Sequence, residues 1–111
     1  EGCGAIVVQR VDSGSPSGGT HRAYASILGV GVSHDGTSAS LMAPSGRAQE
    51  QLIRRTLQDT GIEASEVDYL EAHGTGTPLG DPVEVGAVAS VYRDRVADHP
   101  LSVGSVKANI G

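Results

Sequence analysis

The stretch EVDYLEAHGTGTPLGDPVE, residues 66–84, decides how this chain folds. Its opening, EVDYLEAH (66–73), reads as a strand. Its close restarts a helix, with Asp81 as N-cap, Pro82 at the first helical position and Glu84 at N3 of a capping box. Between them, residues 71–84 carry one histidine, three glycines, two prolines, two threonines and three carboxylates, a composition poor for either helix or strand. The reading is strand, loop, helix, with His73 at the point where the strand gives way to the loop.

Working outward, Val85, Val88, Ala89 and Tyr92 supply one apolar face for the helix after the loop. RDRVADHP (93–100) reads as an exposed linker and LSVGSV (101–106) as a buried strand. Upstream, Ser45 can cap a helix from Arg47 to Thr60, with Ala48, Leu52, Ile53, Thr56 and Leu57 on one face and Gly61 as its left-handed stop. Asp35-Gly36 is a sharp turn signal. AIVVQRV (5–11) and AYASILGVGV (23–32) read as strands that form an antiparallel pair across a flexible Ser/Gly/Pro-rich loop, 12–22. The order β-β-α-β-α-β predicts an α/β fold with a mainly parallel sheet, right-handed crossovers and helices covering it.

The 111 residues suit one domain or part of one. Net charge is −5 with a sequence pI near 5.2. No basic stripe points to nucleic acid, and no polybasic cluster or long apolar run points to a membrane. One cysteine, Cys3, excludes an internal disulfide framework and fits a reducing, cytoplasmic compartment. Four histidines stand without ligand spacing, so no metal site is expected. There is no Phe, no Trp and only three Tyr, so large core-filling side chains are few. Both ends stop within strand-like runs, and the chain reads as a fragment of a larger domain.

In open α/β sheets, ligands gather at the carboxyl ends of strands, the place His73 occupies. Gly74 and Gly76 clear space beside the ring, and Thr75 and Thr77 put hydroxyl groups into the same loop. Pro78 and Pro82 stiffen its exit. Plainer roles exist for each candidate: His73 bonding a backbone carbonyl, Glu84 capping its helix, Lys107 solvated. A dinucleotide-dependent oxidoreductase is a rival reading of GTGTPLG. Its spacing is G-x-G-x-x-x-G rather than G-x-G-x-x-G, and Asp81 and Glu84 place negative charge where a pyrophosphate would sit. Ser33-His34-Asp35 carries little weight as a hydrolytic triad, because three adjacent side chains cannot reach the required geometry.

EAHGTGTPLGDPVE followed by SVKANIG resembles the C-terminal part of a β-ketoacyl synthase, in particular the ketosynthase domain of type I polyketide synthases. EGCGAIVV is similar to the strand closing that family's first half, and APSGRAQEQLIRRTL to the helix after its Asp-Gly loop. The resemblance covers essentially the whole chain. Ser33-His34 and Ser45-Gly46 depart from the Asn-Gln and Asn-Gly frequent in the family, and these positions bear on subfamily rather than on reaction class.

The resemblance implies a thiolase-like fold, a layered α/β/α/β/α domain of which residues 1–111 would supply the end of the N-terminal half and the start of the C-terminal half. It implies decarboxylative Claisen condensation between an acyl thioester and a malonyl-type extender. No cofactor is bound directly; the phosphopantetheine arm of an acyl carrier protein delivers the substrates, and the full-length parent is a homodimer. His73 would be the first of two catalytic histidines, with the second just past Gly111 and the nucleophilic cysteine upstream of Glu1. The fragment alone would then be inactive. Cys3 matches a small-residue position and is expected to be a small buried side chain. Glu84 and Lys107 would form a buried charge pair beside His73, and Thr75 and Thr77 would bond the amides of the phosphopantetheine arm. A non-catalytic, chain-length-factor-like homologue is the alternative from another class.

Overall fold

The computed structural model describes residues 3–10, 23–33, 44–96 and 98–110. Within them lie helix α1 (Gly46–Thr60), a 3-10 turn (Ala64–Glu66), strand β1 (Tyr69–Glu71), helix α2 (Gly80–Val91), strand β2 (Ser102–Gly104) and a short helix α3 (Lys107–Ile110). The flexible loop expected at 12–22, the Asp35-Gly36 turn and most of Ser33-His34-Asp35 lie outside the described residues.

α1 has the limits its sequence predicts. The Ser45 hydroxyl accepts the Ala48 N–H at 3.2 Å. At the other end Gly61 takes φ 68°, and Ile62 N–H returns to the Leu57 carbonyl at 3.1 Å, the left-handed stop that glycine reaches without steric penalty. The predicted face of Ala48, Leu52, Ile53, Thr56 and Leu57 is half-buried.

β1 and β2 pair in parallel, with Tyr69 opposite Ser102, Leu70 opposite Val103 and Glu71 opposite Gly104. α2 is the crossover between them, so the β-α-β unit forms as expected. Both strands are shorter than predicted. Residue 66 belongs to the 3-10 turn, because Glu63 and Glu66 cap each other's backbone, with Glu63 N–H bonding Glu66 Oε2 at 2.8 Å. After Gly104 the chain turns into α3 instead of continuing as strand to 106.

The core lies between α1, α2 and the strands. Val88, Val91 and Tyr92 are buried, and Ile53 and Leu57 of α1, Leu70 of β1, Val67 and Leu101 pack against them. Each such aliphatic side chain contributes about 1.5–3 kcal/mol when fully buried. Burial also pushes the Tyr92 phenol up. Arg54 of α1 clips the two helices together by donating to the Ser90 carbonyl at 3.0 Å.

The buried face of α2 keeps Val88 and Tyr92 of the predicted one and differs at the other two positions. Ala87, Val88 and Val91 are buried, whereas Val85 is 62% exposed and Ala89 is exposed. The helix is apolar on nearly every side, so periodicity cannot choose a face and packing on α1 does. The expected antiparallel pair is also not formed among the described residues, where β1–β2 is the one ladder. Val7 and Tyr24 are fully exposed. Within the exposed run 23–33, Gly29 and Gly31 pass close to α1: a Cβ at Gly31 would stand 2.7 Å from Leu52 Cδ1, and one at Gly29 would overlap Thr60. A strand is realised only by ladder bonds to a neighbour, and neither run has such a neighbour among the described residues. Cys3, expected to be buried, is exposed, because nothing packs over the run that carries it among the described residues.

Candidate active site

Parallel register brings the two strand ends to one edge. The ladder extends by one bond past Glu71, from Ala72 N–H to the Gly104 carbonyl at 2.8 Å. The chain leaving β1 therefore emerges as His73 beside the chain leaving β2, which emerges as Lys107. Lys107 Nζ donates to the His73 carbonyl at 2.7 Å. From the other side, the Glu84 carboxylate takes two consecutive amides: His73 N–H on Oε1 at 2.7 Å and Gly74 N–H on Oε2 at 3.0 Å. One residue's peptide groups are thus gripped at the N–H by an anion and at the C=O by a cation. Hydrogen bonds to charged groups contribute about 1.5–3 kcal/mol each, and two on one carboxylate also define its rotamer.

This arrangement corrects the expected Glu84–Lys107 charge pair. No direct ion pair joins them among the described residues; Lys107 is exposed and Glu84 half-buried. Both carboxylate oxygens are already engaged by amides, and the ammonium finds a carbonyl. The two charges act on the same backbone rather than on each other.

The expected Asp81–Glu84 capping box is not formed either. α2 begins earlier, at Gly80, and the Thr77 hydroxyl accepts the Gly80 N–H at 3.1 Å. The Thr77 carbonyl takes the Asp81 N–H at 3.2 Å. The helix starts between the two cap-then-proline signals, Thr77-Pro78 and Asp81-Pro82, with Leu79 at its N-cap position. Asp81 is left free to reach back, accepting the Gly76 N–H on Oδ1 at 3.2 Å. Carboxylates from the first turns of α2 therefore hold the loop at Gly76 and at His73–Gly74. Thr75 is exposed, and the Thr77 hydroxyl keeps its own proton for donation. The His73 side chain is exposed, and its ring nitrogens make no hydrogen bond among the described residues; its backbone, not its ring, is what the neighbours hold.

Gly74 adopts φ 48°, and a Cβ there would lie 2.8 Å from both Cβ and Oγ of Ser105. Left-handed backbone costs a residue with a side chain roughly 1–2 kcal/mol before any clash. Gly74→Ala is therefore expected to lower the melting temperature by about 4–8 °C, because the Gly74 N–H would leave Glu84. Melting curves of the variant and the wild type check this; an unchanged curve would show that the loop tolerates another backbone path.

Sequence reasoning missed Glu71 and Tyr69. Glu71 Oε1 accepts the Val106 N–H at 2.6 Å and Oε2 accepts the Tyr69 hydroxyl at 2.5 Å. The Tyr69 hydroxyl first, then the Val106 amide, hold the Glu71 carboxyl below the usual carboxylate range, and the same bond to Glu71 raises the Tyr69 phenol. The available signal is the three carboxylates of residues 71–84, of which only Asp81 and Glu84 receive a role from the sequence.

Among the described residues, no group of three or more His, Cys, Asp or Glu is placed to hold a metal ion, and no helix is long and apolar enough to cross a membrane.

Comparison with known proteins matches residues 24–111 to the family described as beta-ketoacyl synthase, C-terminal domain. The erythronolide synthase EryA3 of Saccharopolyspora erythraea is 50% identical over 112 residues, an alignment covering all of this chain and 4% of that protein. Among solved structures, the ketosynthase from module 6 of the bacillaene synthase of Bacillus subtilis 168 superposes with a TM-score of 0.70 at 38% identity, covering 77% of this chain and 16% of that one. The ketosynthase from module 1 of the bacillaene synthase of Bacillus amyloliquefaciens FZB42 gives 0.67 at 42% identity, covering 76% and 16%. The fold is that of ketosynthase domains, the thiolase-like α/β fold, over a small share of their length.

Proposed function

This chain belongs to the β-ketoacyl synthase family, matching its C-terminal domain, and we propose that it forms part of the ketosynthase of a type I polyketide synthase, an acyltransferase that lengthens an acyl chain by decarboxylative condensation. The observation that carries this reading is the His73 peptide held between Glu84 and Lys107 at the ends of two parallel strands. That grip places an exposed imidazole at the sheet edge where substrates reach α/β sites.

The parent's cysteine thiolate first takes the acyl group from the thiol of an acyl carrier protein's phosphopantetheine arm. A malonyl-type extender on carrier protein then loses carbon dioxide. The electron pair of the breaking carbon–carbon bond moves into the thioester, and negative charge develops on its oxygen. The His73 N–H donates to that oxygen, together with the second histidine of the parent. A preorganised donor aimed at developing charge lowers such a barrier by a few kcal/mol. The enolate carbon attacks the acyl-cysteine carbonyl, and the cysteine thiolate leaves, free for the next acyl group. Thr75 and Thr77 hydrogen-bond the amides of the arriving arm. Glu84 and Lys107 touch neither substrate nor reacting atoms; they keep the backbone of His73 in place.

On this reading residues 1–111 supply the end of a ketosynthase domain's first half and the start of its second, and the condensation belongs to the whole domain. The parent is a cytoplasmic homodimer served by acyl carrier protein. The loop amides bear against the dinucleotide alternative: Glu84 occupies two of them and Asp81 a third, where a pyrophosphate would need donors.

The test is the purified parent supplied with an acyl donor and carboxyl-labelled malonyl carrier protein. Release of labelled carbon dioxide with formation of an extended β-ketoacyl thioester is the expected result. A parent that is never acylated would be a chain-length-factor-like partner, and one that binds a nicotinamide cofactor without condensing would be an oxidoreductase; either overturns the reading.

A further inference from the structure

We propose that Glu71 is a positioning residue that sets Lys107 on the His73 carbonyl, acting through the backbone amide of Val106. The proposal rests on the ketosynthase reading and extends it to a carboxylate with no role in that mechanism. β2 ends at Gly104 and α3 begins at Lys107, so Val106 N–H belongs to neither the ladder nor the helix. Glu71 Oε1 takes that amide at 2.6 Å. The carbonyl of Val106 in turn accepts from Asn109 and Ile110, so the point Glu71 holds is the start of α3. Lys107 is the next residue, and its ammonium reaches back 2.7 Å to the His73 carbonyl.

Glu71 is itself clamped. The Tyr69 hydroxyl occupies its second oxygen. The Tyr69 ring in turn lies over Gly104, where a Cβ would stand 3.3 Å from its Cε2 and Cζ. Tyr69, Glu71 and Gly104 thus fit together across the two strands, and the carboxylate, although exposed, is bonded at both oxygens. Glu71 and Glu84 act as a pair on the two chains that meet at this edge: Glu84 holds the turn after β1, and Glu71 holds the turn after β2.

A role through Lys107 predicts non-additivity. In the full-length parent, Glu71→Ala is expected to slow condensation about tenfold, with acylation of the parent's cysteine within about twofold of wild type. Glu71→Gln keeps an oxygen for Val106 N–H and is expected to restore most of the rate. In a Lys107→Ala background, Glu71→Ala should then lower condensation by less than about twofold, because the residue it positions is gone. Tyr69→Phe, which frees the carboxylate without removing it, gives a milder second variant should Glu71→Ala fail to fold; a loss of about threefold, again absent in the Lys107→Ala background, is expected. Full additivity of either variant with Lys107→Ala, or a crystal structure of Glu71→Ala with Lys107 still on the His73 carbonyl, overturns the proposal. A wild-type parent that does not condense would instead overturn the ketosynthase reading, so the two failures are separable.

Discussion

Replacing His73 by alanine in the full-length parent is expected to lower condensation by at least about 10²-fold while leaving acylation of the cysteine within about twofold. The asymmetry follows from where charge develops. Acyl transfer onto a thiolate draws on the cysteine and its immediate surroundings. In the proposed reaction, decarboxylation puts an electron pair onto the extender's thioester oxygen, and the exposed imidazole at the end of β1 is the donor proposed for it. The backbone of His73 is tied by Glu84 and Lys107 and not by its own ring, so truncating the side chain should leave the loop standing. Single-turnover formation of acyl-enzyme, followed by chase with labelled malonyl carrier protein, separates the two steps. Normal extension by the alanine variant would remove His73 from the mechanism.

The second large effect is expected at Glu84. Both oxygens accept from amides, so Glu84→Gln replaces one acceptor with an NH2 that faces an N–H. A donor facing a donor is worse than a missing partner, since each unpaired polar group costs about 1–3 kcal/mol when shielded from water. Glu84 is only half-buried, so water can satisfy part of what is lost and the stability change is discounted accordingly. We expect condensation to fall about ten- to a hundredfold, with a melting point only a few degrees lower. Glu84→Ala, which removes the repulsion along with the acceptor, should melt no lower than the glutamine variant. A glutamine variant that is stable and fully active would mean that the two amides do not need an anion.

Much of the framework could be read from local signals. Ser45 and Gly61 bound α1 because a side-chain cap and a left-handed stop act within three or four residues. The strand–loop–helix around His73 and the parallel partner at Val103 were likewise legible from composition and order. The misreadings share a cause. Val85 and Ala89 were assigned to the buried face of α2 on periodicity alone, although an apolar residue stands on almost every side of that helix. Residues 5–11 and 23–32 have good strand patterns, but a strand is realised only by its neighbours, and those patterns do not say which neighbours exist. Thr77-Pro78 and Asp81-Pro82 carry the same cap chemistry in succession, and propensity does not rank them.

By itself, the amino-acid order determined that an imidazole would stand at a strand end beside a glycine loop, with an anion one turn into the next helix and a cation beyond the next strand. What only the tertiary structure decided is what those charges touch. Lys107 lies 34 positions from the carbonyl it holds, and Glu71 lies 35 from its amide. Opposite charges brought to one edge can neutralise each other or divide a peptide between them, and patterning is the same in both cases. The outcome turns on which backbone donors and acceptors the end of a two-stranded ladder leaves unpaired, and those exist only once the strands have met.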